Sequence, residues 1–512
     1  MRIQSALVAL AASLASAVPP LDVKGNEFYN PKTGDKFQIV GVAYQPGGSS
    51  GFSKSKPDPL SQPEACLRDA ALMQIMGVNA IRVYNLNPDL NHDECASIFN
   101  AVSFPPNPSR YCRPLSRLKL GRSLRLCELK AGMYMIIDVN SPLVGEALDS
   151  AKPWETYYAA YLNHTFAVVE AFSNYPNTLL FFSGNEIINN VATAQFVPQY
   201  IRAVTRDLKN YIKNNIKRHI PVGYSAADVR DVLWDTWNYL QCSDGKSDDM
   251  TRADAFALNS YSWCGTEATF ESSTYKELTE KFASSSVPVF FSEYGCIKPV
   301  PRYWNETRAM YSDKMTPVFS GGIVYEWTQE DNGYGLVEIK DNQLMVLGDY
   351  NRLKAAWATV DWAKIQAQKV GSRKVTAPKC ASSLITQKGF DTNFTAPPPP
   401  ADVQKLISSG INPKPVGKIV QISNYNVKAI VKDSEGNEIK DIKVNPVKDD
   451  EFNVAGKNTA NTGSVNSNNT GSGGNSGNGK GKNGKGDDNG AAFNAPMVLA
   501  TIMPLIAMLL FV

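Results

Sequence analysis

Histidine is almost missing: His92, His164 and His219 are the whole set in 512 residues. They share no metal-ligand spacing, which argues against a zinc site and against a histidine-based triad. An excess of charge is missing too. With 52 basic and 49 acidic residues the net charge is +3, too small to point to nucleic acid. No Gly-rich phosphate loop follows the first apolar run, which weakens a doubly wound nucleotide-binding sheet. No cofactor and no metal are expected. What remains is an ordinary globular balance, 43% hydrophobic and 20% charged, with 22 Tyr, 21 Phe and 8 Trp. Flat rings in such numbers suit stacking on sugar faces as well as they suit a large core.

The two ends read as addresses. Arg2 precedes the apolar run Ala6–Leu14, and Ala15-Ser-Ala17 offers a small-residue cleavage site, so 1–17 reads as a secretory signal. The run from Ala495 to Val512 has no basic flank behind it, and Asn489-Gly490-Ala491 lies upstream. This reads as a GPI-anchor signal with attachment at Asn489, leaving 491–512 to be removed. A membrane helix is the competing reading, opposed by Pro496, Pro504 and the shortness of the run. In a secreted chain the Asn-X-Ser/Thr sites at Asn163, Asn305, Asn393 and Asn468 are expected glycosylation acceptors.

Between the signal and residue 330 eight short apolar runs recur: 38–43, 80–84, 134–138, 179–183, 221–224, 255–260, 289–292 and 322–325. Helical spacing fills many of the gaps, as at 63–76, 157–172 and 199–216. Eight strands alternating with helices predict a (β/α)8 TIM barrel over 18–375. Glu186 then follows the fourth strand and Glu293 the seventh. Carboxylates at the carboxyl ends of barrel strands lie on the face where such folds do chemistry. Two from different strands suggest the acid pair of a retaining glycosidase, whose carboxyls stand about 5–5.5 Å apart. The plain alternative is a structural ion pair with Arg82.

Later segments differ in character. A small β-rich appendage is expected over 376–455, entered through the stiff Ala396–Pro400 break, with alternation over 418–444 around a turn at 433–436. The stretch 456–490 is rich in Gly, Asn, Ser and Lys and reads as a disordered stalk.

One segment breaks the barrel pattern. Val102 to Lys130 holds seven basic residues and one acidic, a net +6, and separates a helix end from the next strand. Direct joining of Ala101 to Ala131 would give the compact connection expected of a barrel. Every valine codon begins with GT and one lysine codon ends in AG, so we favour a retained intron translated in frame. A functional basic loop near the active face is the alternative. Without the segment, Cys112 and Cys127 drop out, and six cysteines remain with 15 possible pairings.

Seven ordered motifs carry a resemblance. They are Gly41-Val-Ala-Tyr-Gln-Pro46, Ile81-Arg-Val-Tyr-Asn85, Ile137-Asp-Val-Asn-Ser-Pro142, Ser183-Gly-Asn-Glu186, Asn259-Ser-Tyr-Ser-Trp-Cys-Gly265, Phe291-Ser-Glu-Tyr-Gly295 and Gly321-Gly-Ile-Val-Tyr325. Together they closely resemble the Gas/Gel/Phr/Epd proteins, the fungal β-1,3-glucanosyltransferases of glycoside hydrolase family 72. The likeness runs from about residue 20 to 450 apart from the insert. No cysteine follows Cys380, as in the subfamily without a cysteine-rich module.

The resemblance implies Glu186 as acid/base and Glu293 as nucleophile. It implies that Tyr84, Asn185 and Tyr325 line donor subsites, that Asp228 and Arg230 form an acceptor-side pair, and that Gln45, Asp138, Asn140 and Tyr261 complete the cleft. Implied disulfides are Cys66–Cys95, Cys242–Cys380 and Cys264–Cys296. Implied partners are β-1,3-glucan donor and acceptor chains and, through a GPI lipid, the outer face of the plasma membrane. Trp263, Trp327 and Tyr334 are candidate sugar platforms, each with a core role as the alternative. Because the insert precedes the strand bearing Asp138 and Asn140, the activity of the chain as written hangs on it. The intron reading has a direct check: cDNA from the transcript is expected to lack the codons for 102–130, and cDNA that encodes them rejects it.

Overall fold

The structure is a computed structural model that describes residues 18–100, 129–130, 132–246, 248–341, 343–371, 375–445, 447–448 and 451–455. The expected signal, stalk, Asn468 and Asn489 lie outside the described residues, as does nearly all of the basic segment. Eight parallel strands close into a barrel: β1 (Ile39–Tyr44), β2 (Ala80–Val83), β3 (Tyr134–Asp138), β4 (Thr178–Asn185), β5 (Val222–Ala227), β6 (Ala255–Ser260), β7 (Val289–Tyr294) and β8 (Phe319–Val324). Each of the eight apolar runs became one of them. They are buried along nearly their whole length because helices cover the outside and side chains fill the inside, which is why they read as continuous apolar runs.

The helices that return the chain are α1 (Pro63–Met76), α2 (Asp93–Asn100), α4 (Ala159–Ser173), α5 (Val197–Asn215), α6 (Arg230–Gln241), α7 (Tyr275–Phe282), α8 (Asn305–Met310) and α9 (Gly348–Ala358). A one-turn helix, α3 (Pro153–Thr156), precedes α4. Local sequence sets several ends. Proline opens α1, and Gly77 at φ +92° closes it, a left-handed position that suits glycine. α5 buries Ile201, Val204, Leu208 and Tyr211 at helical spacing.

An antiparallel pair, Asp22–Lys24 with Glu27–Tyr29, leads into the amino end of β1. Phe28 from this pair meets Phe290 of β7 edge-on at 5.9 Å, so the amino-terminal mouth of the barrel is plugged by apolar packing. Closure depends on β8 lying close against β1, with Gly321 opposite Ile39. Gly321 has φ +87°, and a Cβ there would stand 2.1 Å from the Ile39 carbonyl oxygen.

The expected β-rich appendage is present in reduced form, beside a helix that the sequence reading did not place. Residues 376–455 carry a nine-residue helix, α10 (Ala401–Ser409), and only two-residue strands, Val431–Lys432 and Val447–Lys448. The turn at Asp433 is present, with Gly436 N donating to Asp433 O at 3.1 Å. Val431–Lys432 lies parallel to Gln343–Val346, which pairs antiparallel with Val337–Lys340, so the alternating stretch completes a three-stranded sheet. About the turn the two arms pair antiparallel, with Val427 N donating to Ile442 O at 2.9 Å, Val444 N to Tyr425 O at 3.1 Å and Ile439 N to Val431 O at 2.8 Å, and Ile422, Ile439, Ile442 and Val444 are buried. Further contacts hold this chain to the barrel. Asn214 Nδ2 of α5 donates to Ile407 O at 3.2 Å, and Asn453 Nδ2 donates to Val78 O at 2.8 Å. Alternation here marks a paired stretch with one face turned inward.

Disulfides join Cys66 to Cys95, Cys242 to Cys380, and Cys264 to Cys296. The first ties α1 to α2, the second fastens the C-terminal stretch to the end of α6, and the third links the connections after β6 and β7. Asn163 and Asn393 are exposed and Asn305 is half-buried at the first position of α8. No helix of the described residues is long and apolar enough to cross a membrane.

The basic segment leaves and re-enters at one place. Met133 N donates to Phe99 O at 3.0 Å, so α2 meets the start of β3 directly across it. Both attachment points lie at the amino end of the barrel, opposite the carboxyl ends of the strands.

Closure makes a sharp prediction. Gly321→Ala is expected to cost about 3 kcal/mol or more, or to prevent folding, because the clash is with backbone at a left-handed position. Thermal unfolding of the variant checks it, and an unchanged midpoint refutes it.

Candidate active site

A guanidinium occupies the axis of the barrel. Arg82, in the apolar strand β2, is completely buried. It donates to Asp138 of β3 (Nη2 to Oδ2, 2.8 Å), Asn185 of β4 (2.8 Å), Asn259 of β6 (3.4 Å) and Glu293 of β7 (Nη1 to Oε1, 3.1 Å). The Tyr84 ring lies 4.3 Å and the Phe182 ring 4.9 Å from its carbon. Burial opposes its charge, but Asp138, Tyr84 and Glu293 around it drive its pKa upward, so it stays protonated.

Glu293 is buried near the end of β7. Its Oε1 accepts from Arg82 and from the Tyr84 hydroxyl at 2.9 Å, and its Oε2 accepts from the Tyr261 hydroxyl at 2.7 Å. Burial pushes this carboxyl up to about 7; Arg82 and the two hydroxyls pull it down, while the charge of Glu186 adds to the rise. Glu186 stands one residue past β4 with φ +51°, a conformation a non-glycine residue adopts at a cost. Its backbone is held by Ser225 O at 2.9 Å, and its Oε1 accepts from Asn259 Nδ2 at 2.8 Å. Asn259 also contacts Arg82, so two side chains connect the two glutamates.

Asn185 presents its Oδ1 inward to three donors: Arg82, Ser225 Oγ at 2.7 Å and Asn259 Nδ2 at 3.1 Å. Arginine only donates, which fixes the amide orientation. Its Nδ2 has no partner among the described residues. The other expected residues fall around this centre. Asn140 donates to Ser183 O at 3.2 Å and accepts from Tyr161 at 2.9 Å. Gln45 is buried and bonded to Ser49 Oγ at 2.7 Å. Tyr261, Tyr325 and Tyr334 form a cluster with ring centroids 5.4–6.3 Å apart and near-perpendicular planes. Asp228 and Arg230 pair at 2.6 Å past the end of β5, and Arg230 also reaches Glu277 at 3.0 Å and Thr274. That pair reaches the strand ends only through Ser260 Oγ, at 2.6 Å from Asp228, and does not join the Arg82 network.

Trp263 and Trp327 are core residues, packed on Tyr275 and Tyr350, so of the three proposed platforms only Tyr334 remains. Sequence reasoning missed Asn259, and it treated Arg82 only as a structural ion-pair partner. The signal was available: a charged or amide side chain inside a strand buried on both faces must find partners at the axis. It also missed Glu326, buried beside Tyr325, whose carboxyl burial pushes up to about 8 while Asn332 Nδ2 donates to it at 2.8 Å.

The donors around Glu293 yield a pH prediction. A reaction that needs Glu293 ionised fails as pH falls through its pKa. Tyr261→Phe removes one donor to the charged form and raises that pKa. The acid limb of the kcat/KM profile is therefore expected to move up by about one pH unit. An acid limb unmoved in Tyr261→Phe contradicts this account of the site.

The Glucanosyltransferase family model matches residues 10–104 and 126–361, and the stretch it skips lies inside the basic segment. The 1,3-beta-glucanosyltransferase gel2 of Aspergillus fumigatus is 50% identical over 440 residues, 86% of this chain and 85% of that one. The probable 1,3-beta-glucanosyltransferase GAS3 of Saccharomyces cerevisiae is 41% identical over 449 residues, covering 82% and 80%. The structure of Saccharomyces cerevisiae Gas2p in complex with laminaritriose and laminaritetraose matches with TM-score 0.61 and 30% identity, covering 76% of this chain and 78% of that one. By motif, fold and sequence identity alike, this chain belongs to the glucanosyltransferase family.

Proposed function

We propose that the chain is a retaining β-1,3-glucanosyltransferase that cleaves one glucan chain internally and joins the new reducing end to the non-reducing end of another. The observation that carries the assignment of roles is the asymmetry of the two carboxyls. Glu293 receives three donors across both oxygens, an arrangement that favours its charged form. Glu186 receives one amide, from Asn259. Those donors oppose the burial that raises Glu293 and orient it as the nucleophile, and Glu186, bonded through one oxygen to Asn259, fits the acid/base role.

In the first step a Glu293 oxygen bonds to the anomeric carbon as the bond to the leaving glycosidic oxygen breaks. Glu186 gives its proton to that oxygen, and a glycosyl ester remains on Glu293. In the second step Glu186 removes the proton from the 3-hydroxyl of an incoming glucan, whose oxygen displaces Glu293 and re-forms a β-1,3 bond. Asn185 Nδ2, without a protein partner, suits the sugar 2-hydroxyl, whose bond strengthens in the transition state. Tyr84 and Tyr325 suit the donor side, with Gln45, Asp138, Asn140 and Tyr261 completing the cleft; the Asp228–Arg230 rim suits the acceptor. A bound acceptor presents its hydroxyl at high effective molarity and displaces water, which favours transfer over hydrolysis.

The sequence signals at both ends support placing this activity at the cell surface, held to the outer face of the plasma membrane by a GPI lipid on Asn489, with the wall glucan in reach.

Incubation with a reduced laminarioligosaccharide is expected to give products longer than the starting material. Shorter products alone mean a hydrolase, and unchanged substrate sinks the enzyme reading. Glu186→Gln and Glu293→Gln are each expected to lower turnover by about 10²–10⁴-fold or more; the first leaves the unfolding temperature unchanged, and the second lowers it by removing a charged partner of Arg82.

A further inference from the structure

Eight large hydrophobic side chains are exposed among the described residues, and four of them, Val144, Trp154, Tyr158 and Phe196, lie on the neighbouring connections after β3 and β4. Trp154 is 48% exposed, and its ring meets the Phe196 ring at 5.5 Å and 84°. Tyr158 sits over Gly145, where a Cβ would lie 2.4 Å from its hydroxyl, so it joins the Val144 stretch to the start of α4. Single exposed apolar residues are ordinary; a cluster on two adjacent connections calls for a partner.

The ground beneath the cluster is rigid. Tyr157, between Trp154 and Tyr158, is buried and bonded to Asp207 at 2.5 Å and Arg206 at 2.9 Å. Asp149 Oδ1 accepts from the Ala151 and Lys152 amides at 2.7 Å. On the other side Asn190 and Thr193 form a reciprocal cap just before Phe196. Rings held on fixed backbone lose little freedom on binding.

Tyr158 and Phe196 immediately precede the amino ends of α4 and α5, which in a (β/α)8 barrel lie on the same face as the carboxyl ends of the strands. The two connections begin at Asn140 and Glu186, residues of the cleft itself. The cluster therefore lies on the same face of the barrel as the cleft. We propose that Trp154, Tyr158 and Phe196 form a second glucan-binding surface, on which a β-1,3-glucan chain too long for the cleft stacks its sugar faces. This rests on the glucanosyltransferase reading for the identity of the polymer, and its function is to hold long chains near the reacting pair.

The test uses the full chain with Trp154→Ala/Phe196→Ala, and Trp154→Tyr as the conservative control. Retention on particulate β-1,3-glucan is measured in a Glu186→Gln background, where turnover is suppressed and the Arg82 network is kept. Retention is expected to fall about tenfold, equivalent to about 1.4 kcal/mol, with Trp154→Tyr keeping most of it. In the otherwise wild-type chain, kcat/KM on a short reduced laminarioligosaccharide is expected to stay within about twofold, while KM for long glucan rises. Unchanged retention overturns the proposal. So does an equal fall on short and long substrates with a lowered unfolding temperature, which makes the cluster structural. A wild-type chain that transfers no glucan refutes the enzyme reading but leaves the retention measurement to decide this one.

Discussion

A positive charge with no access to water organises this molecule. Arg82 sits where eight strands converge, and burying it alone would be prohibitive. It is tolerated because its donors are taken up by Asp138, Asn185, Asn259 and Glu293, and its faces by two aromatic rings. Those four partners come from β3, β4, β6 and β7, so one side chain sets the relative heights of five strand ends. Breaking such a pair leaves an uncompensated buried charge, which costs more than the pair contributes. Fold and chemistry are thereby coupled: the group that holds the strand ends in register is also the group that touches the proposed nucleophile.

The same economy extends outward. Arg302 donates to the carbonyls of Tyr325 (2.8 Å), Tyr334 (2.7 Å) and Gly335 (3.2 Å) and pairs with Asp349. It fixes the backbone on which two of the three clustered tyrosines stand. Cys264–Cys296 links the connections after β6 and β7 on the same face, the connections that follow Tyr261 and Glu293 closely. A cleft that must hold two polymer chains in a reactive geometry benefits from walls that do not move, because misplacement by about 1 Å can cost two orders of magnitude in rate.

Much of this was legible in the chain. Strands buried on both faces leave apolar runs, and all eight were readable; their ends differ from the observed ones by a few residues because ladder pairing, not hydropathy, ends a strand. Glu186 and Glu293 stood out because an acid just after or at the end of such a run lies on the face where barrels do chemistry, and the structural alternative, an ion pair with Arg82, holds for Glu293 as well. Arg82 and Asn259 were harder to place, since their meaning comes from partners on other strands that spacing does not reveal. Trp263 and Trp327 show the converse. A tryptophan near a strand end packs inward or stacks on a ligand with the same sequence signature, and only packing separates the two. In the stretch 418–444 the alternation and the turn were legible, but the partner strand Gln343–Val346 lies in a part of the chain assigned to the barrel, which alternation does not reveal.

The basic segment shows how the barrel divides its labour. Its two ends meet through Phe99 and Met133 at the amino-terminal end, where helices return to strands. Connections on that face serve stability, and those on the opposite face serve chemistry. Asp138 and Asn140 lie at the far end of β3 and keep their bonds to Arg82 and Ser183 irrespective of what is inserted before Met133. The family match resumes on the far side of the segment, and the ladder between β2 and β3 is continuous from Ala80–Tyr134 to Val83–Ile137. Among the described residues, then, the strand that follows the segment is paired on both sides and carries its reactive groups in place.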